Sequence, residues 1–129
     1  MADTPTPTGR ELEILKVLWE HGPSSVRVVY KHLLAQQPGG KDLAYNTVQT
    51  LLRIMEDKGL VTHHLDGRAF VYEARYSRDQ SAERFLDRVF DGAASQLMLS
   101  LLQSERLPTE ELDRMQALIA AAKRRRGGR

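Results

Sequence analysis

A mainly α-helical fold with one small β-element follows from three patterns in the 129 residues. Apolar residues recur at helical spacing in three short segments that end near Gly59. Two strand-like runs come next, Leu60 to Leu65 and Arg68 to Tyr72, separated only by Asp66-Gly67. That dipeptide is a strong hairpin signal, because it suits a turn with positive φ at both central positions. Helical spacing then returns to the end of the chain. Three helices and a hairpin in under 75 residues describe a winged helix-turn-helix with a two- or three-stranded wing. A plain helical bundle would account for the helices but not for the hairpin.

Each element has its own start and stop. Thr8 opens the first helix with Glu11 three residues on, the spacing of a capping box. Leu12, Leu15 and Trp19 form its expected core stripe, and His21-Gly22-Pro23 ends it. Ser24 or Ser25 caps a second helix bearing Val26, Val29, Tyr30 and Leu33, broken by Gln37-Pro38-Gly39-Gly40. The third helix runs from about Tyr45 to Lys58. After the hairpin, Ser77 and Gln80 repeat the capping-box spacing, ahead of Ala82, Phe85, Leu86 and Val89. Asp91-Gly92 interrupts before Ala94, Leu97, Met98 and Leu101. Leu107-Pro108-Thr109-Glu110-Glu111 reads as a proline-initiated helix start, with Leu112, Met115 and Ile119 following on one face. The expected organisation is a winged domain over 1–74, a helical region over 75–122 and a basic flexible tail over 123–129.

Composition removes several classes of function. There is no cysteine, so disulfide frameworks, zinc fingers and thiol nucleophiles are excluded. No apolar run approaches the roughly 20 residues of a membrane span, and the first residues do not read as a signal peptide. A cytoplasmic protein without membrane insertion is expected. The net charge of +2 is unevenly placed: residues 1–72 balance, 73–122 carry −3, and 123–129 carry +5. Bulk basicity therefore gives no argument for nucleic acid, and any such argument must come from local placement. No nucleophile elbow, zinc-protease, Walker or dinucleotide motif is present, so no enzyme and no cofactor is expected. Consecutive strand residues face opposite ways, so His63 and His64 cannot share one metal ion. His21 and His32 read as isolated surface or capping residues.

The third helix carries the functional signal. Val48, Leu51, Leu52 and Met55 make its apolar face. Asn46, Gln49, Thr50 and Arg53 repeat the same spacing out of phase, with Tyr45 and Thr47 alongside, which places them outward. Amides, hydroxyls and a guanidinium are the groups that read base edges in a major groove. An ordinary solvated face would carry more Glu and Lys. Arg68, beside the wing turn, suits a phosphate or minor-groove contact, or else lies over Phe70 or Tyr72. The 75–122 region is too short for a core of its own, yet it carries Phe85, Leu86, Phe90, Leu97, Leu101, Leu102, Leu112, Met115 and Ile119. A symmetric dimer would bury them and place two reading helices on a palindrome.

The ordered set Glu13-Ile14-Leu15-Lys16-Val17-Leu18-Trp19, Asn46-Thr47-Val48-Gln49-Thr50-Leu51-Leu52-Arg53 and Lys58-Gly59-Leu60-Val61 resembles the BlaI/MecI/CopY family of bacterial repressors. The wing His63 to Tyr72 and the segment Phe85 to Gly92 extend the resemblance over nearly the full length. It implies a homodimeric repressor of antibiotic-resistance type that binds double-stranded DNA at inverted repeats of TACA/TGTA type. In the β-lactam-responsive branch it further implies cleavage by a sensor-protease system, at a position near Ser100-Leu101. This chain has Ser-Leu where that branch has Asn-Phe, and Ala44-Tyr45 where it has a Ser-Pro cap, leaving either Asp42 as a substitute cap or a helix that starts less firmly. The copper-responsive branch uses C-terminal cysteines, which are absent here. Two rivals from other classes are a winged helix used only for protein contacts and a small histidine-based enzyme. A repressor with a small-molecule pocket is a third reading.

Overall fold

Thr8 starts helix α1 (Gly9–His21) with a reciprocal pair of bonds. The Glu11 N–H donates to Thr8 Oγ1 at 3.2 Å, and the Thr8 N–H donates to Glu11 Oε1 at 2.9 Å. The second Glu11 oxygen accepts from Lys58 Nζ at 2.8 Å, although Glu11 is only 2% exposed. One carboxylate thus caps a helix and ties it to a residue 47 positions away. Burial pushes its pKa up, but the bonds and charge from Lys58 and the donors of Thr8 outweigh that and hold it below the ordinary value. Gly22, at φ +80°, ends α1 and donates its N–H to the Leu18 carbonyl.

The computed structural model describes residues 5–36 and 43–127. Ser24–Ser25 form a short strand, β1, and Ser25 Oγ accepts from the Val28 N–H at 3.2 Å to cap α2 (Val26–Gln36). The expected break at Pro38 to Gly40 and the substitute cap Asp42 lie outside the described residues. Helix α3 (Tyr45–Asp57) begins after Ala44 with no side-chain cap. Strands β2 (Val61–Asp66) and β3 (Ala69–Ala74) pair antiparallel, with Asp66 opposite Ala69, and β1 adds to the other edge of β3. The turn is therefore Gly67-Arg68, one residue later than the Asp66-Gly67 expected. Among the described residues of the turn only Gly67 has positive φ, +65°. A glycine at the first central position is the pattern of a type II′ hairpin, which needs one left-handed residue instead of two.

The core joins all these elements. Ile14, Leu15 and Val17 of α1, Val29 of α2, Val48, Leu52 and Met55 of α3, and Leu60 are fully buried. The α1 stripe is wider than expected: Leu12 and Trp19 are only half-buried, while Ile14, Val17 and Leu18 lie inside. Trp19 instead uses its edge, donating from Nε1 to the Tyr76 carbonyl at 2.8 Å.

Chain contacts divide the molecule between Ser81 and Ala82, later than the expected boundary at residue 74. Helix α4 (Arg78–Phe90) has the expected capping box, with Gln80 N–H to Ser77 Oγ at 3.0 Å and Ser77 N–H to Gln80 Oε1 at 2.8 Å. Asp91 and Gly92, both at positive φ, separate it from α5 (Ala94–Gln103). Helix α6 (Thr109–Gly127) starts after Pro108, whose carbonyl accepts from Glu111 and Leu112. Proline is thus the cap residue, not the first helical one. Lys123, Arg124, Arg125 and Arg126 are helical to Gly127, not the flexible tail expected from residue 123 on. No described helix is long and apolar enough to cross a membrane.

The lowered pKa of Glu11 fixes a pH signature. Its charged form is favoured by folding, so the stabilisation is present above the ordinary carboxyl value, 4.5, and is lost as pH falls through the folded value. Glu11→Gln is expected to lower unfolding free energy by about 1–3 kcal/mol at pH 7 in urea titrations. The gap between variant and parent should narrow as pH falls below 4.5 and close once the carboxyl is protonated in the folded protein.

Candidate nucleic-acid interface

Helix α3 is held in one rotation by Val48, Leu52 and Met55, which have no exposed surface. That rotation puts Asn46, Thr47, Thr50 and Arg53 on the solvent side, with Gln49 and Tyr45 half-buried at its margin. The turn residue Arg68 is exposed as well. Tyr45 meets Tyr30 edge to face, ring centroids 5.7 Å apart, and Arg27 Cζ lies over the Tyr45 ring, 5.9 Å from its centroid. A cleft of about 480 Å³ opens beside this face. Its lining comes from the start of α2 (Ser25, Val26, Arg27), from α3 (Tyr45, Gln49, Arg53), and from the wing (Arg68, Ala69, Phe70, Tyr72). The structure therefore brings Tyr45, Gln49, Arg53 and Arg68 to one opening, with Asn46, Thr47 and Thr50 outward on the same helix.

Arg27 is the residue sequence reasoning missed. One signal was available: a cation in the first turn of a helix opposes the macrodipole, at a cost of about 0.3–1 kcal/mol. No acid occupies the first turn of α2 to offset it.

The wing is fastened to α3 by a polar and aromatic clasp. His63 Nδ1 lies 2.7 and 2.9 Å from the two oxygens of Glu56. The His63 ring stacks on Phe70 at 4.4 Å and lies 5.4 Å from Tyr72. Glu56, near the C-terminal end of α3, thus sets the wing's attachment. Tyr72 is buried, which pushes its pKa up; Glu56 adds to that shift and Arg53 opposes it. His64 is on the other strand face, its Nδ1 3.9 Å from Glu73. His21 and His32 are not isolated from each other: their rings stack at 3.8 Å.

In the C-terminal unit, the residues expected at a dimer contact are exposed or half-buried, and α4, α5 and α6 contain no buried residue among those described. Phe85 is 50% exposed, and Leu101, Leu102 and Ile119 more than 40%. Phe85 and Phe90 are ring neighbours at 6.1 Å. Ser100 and Leu101 both lie within α5, exposed.

A winged helix that presents amides, hydroxyls and one arginine, without an ion pair among the described residues, from its third helix defines a DNA-binding transcriptional repressor. The chain belongs to the penicillinase repressor family, which it matches over residues 7–121. It is 28% identical to the penicillinase repressor of Bacillus licheniformis over 130 residues, 98% of each chain. Similarity to the methicillin resistance regulatory protein MecI of Staphylococcus aureus is 21% over 113 residues, 84% of this chain and 89% of that one. Among solved structures, the DNA-binding domain of the repressor BlaI matches at 31% identity and a TM-score of 0.51. Monomeric B. licheniformis BlaI in complex with the blaP half-operator matches at 31% and 0.50. Each of these two matches covers 62% of this chain and 93% of the solved one.

The clasp makes a measurable pair. A double-mutant cycle with Glu56→Gln and His63→Ala, read by urea unfolding, is expected to give a coupling of about 1 kcal/mol. Additive single effects would mean the two side chains do not hold each other.

Proposed function

We propose that this chain represses transcription as a homodimer on palindromic operators, reading each half-site with α3 and touching the backbone with the wing. In this reading Asn46, Gln49 and Arg53 meet base edges, Thr47 and Thr50 pack on or bond to them, and Tyr45 and Arg68 contact the sugar-phosphate backbone. Helices α4 to α6 supply the dimer contact through Phe85, Leu86, Phe90, Leu97, Leu101, Leu102, Leu112, Met115 and Ile119, because none of their apolar side chains is buried within one chain. Occupation of a promoter blocks transcription, so no catalytic group and no cofactor takes part. Operators of TACA/TGTA type, a cytoplasmic location, and sensor-protease control at Ser100-Leu101 complete the proposal. Cleavage there requires local opening of α5, since a protease binds extended chain.

The observation that carries the reading is the outward polar stripe of α3. The rival, a winged helix that serves only protein contacts, would place apolar groups there; Ile54 is the one large apolar side chain on α3 that is markedly exposed among the described residues. Selection of bound fragments from random duplex DNA at two salt concentrations tests the proposal. A palindromic motif with halves about one helical turn apart is the expected result. Recovery of no enriched sequence would favour the protein-contact module. On the selected duplex, Arg53→Ala is expected to weaken binding about 5- to 150-fold, the equivalent of roughly 1–3 kcal/mol, with the thermal midpoint unchanged.

A further inference from the structure

Arg27, Arg53 and Arg68 come from three separate elements, α2, α3 and the wing turn, and line the same cleft of about 480 Å³. No carboxylate is among its lining residues. None of the three arginines makes an ion pair among the described residues. Three guanidinium groups around one opening, with Glu56 bound to His63 outside the lining, favour an anion with several oxygens as ligand. Arg27 adds the feature of preorganisation. Its guanidinium rests over the Tyr45 ring, and Tyr45 is braced edge-on by Tyr30, so less side-chain freedom is lost when an anion binds. The first turn of α2 contains no acid to account for a cation there.

We propose that this cleft is a phosphate site with Arg27 as its anchor, and that it takes a backbone phosphate of the duplex between the reading helix and the wing. The inference rests on the DNA-reading function above and adds to it a contact from α2 that carries no sequence information. It separates roles: Arg27 sets affinity for any duplex, whereas Arg53 sets preference among duplexes. The same chemistry would also accept a free phosphate ion, so the source of the phosphate must be part of the test.

The experiment uses the full chain, a labelled operator duplex from the selection, and an unrelated duplex of equal length. Anisotropy titrations are run across a series of potassium chloride concentrations. Arg27→Ala is expected to weaken both duplexes by the same factor and to make the plot of log K against log salt shallower by about 0.9 for each chain bound. Arg27→Lys, which keeps the charge, should keep the parent slope. An unchanged slope in Arg27→Ala, or a loss confined to the operator, would overturn the proposal. A second series replaces chloride with inorganic phosphate at constant ionic strength. If phosphate weakens the parent but not Arg27→Ala, while their chloride slopes agree, the site holds a free ion and the duplex contact is wrong. Failure of the inference leaves a parent protein that still prefers its operator. Failure of the underlying reading leaves a parent with no preferred duplex, and the cleft then loses its proposed ligand too.

Discussion

The rotation of one helix about its own axis governs the functional surface. Val48, Leu52 and Met55 cannot leave the core without exposing apolar area, and each is fully buried. A turn of about 100° per residue then leaves no choice for Asn46, Thr50 and Arg53, which must face solvent. The rest of the winged unit holds that setting in place. Glu11 and Lys58 fix the far end of α3 to the start of α1, and Glu56 and His63 fix the wing beside it. Side chains on a rigid element lose little freedom on binding, and here the rigidity comes from contacts at both the core face and the C-terminal end.

Much of this was legible in the sequence because the signals were local. Both capping boxes, at Thr8 and Ser77, form the reciprocal bonds that their spacing announces. The two faces of α3 follow from periodicity alone. The hairpin was legible as an element but not in register. Asp66-Gly67 favours a turn with two left-handed residues, but the pairing of Asp66 with Ala69 moves the turn to Gly67-Arg68. The pairing of β3 with Ser24 and Ser25 on its other edge also constrains the register, and that depends on residues far along the chain. Arg27 escaped for the same reason. The unfavourable place of a cation in the first turn of α2 is the only local mark it carries, and α3 and the wing must be brought to it before the cleft exists.

The two units solve different problems with their apolar residues. The N-terminal unit closes a shared core over α1, α2, α3 and Leu60. In α4, α5 and α6 the apolar residues remain accessible in a single chain. Exposed apolar area of this kind marks association surfaces. In the proposed function a second copy covers this area, which would also pair two α3 helices on a palindrome. The arginine-rich end of α6 concentrates the positive charge of the chain away from the reading face in sequence, which is why net charge gave no guide to the interface.

The most direct test is the pattern of backbone amide shifts in isotope-labelled protein titrated with its operator duplex at physiological salt. The account predicts perturbations concentrated on Tyr45 to Arg53, the start of α2 and the turn around Gly67-Arg68, with α1 little affected. Shifts confined to α1 or to the C-terminal helices, with α3 silent, would contradict it.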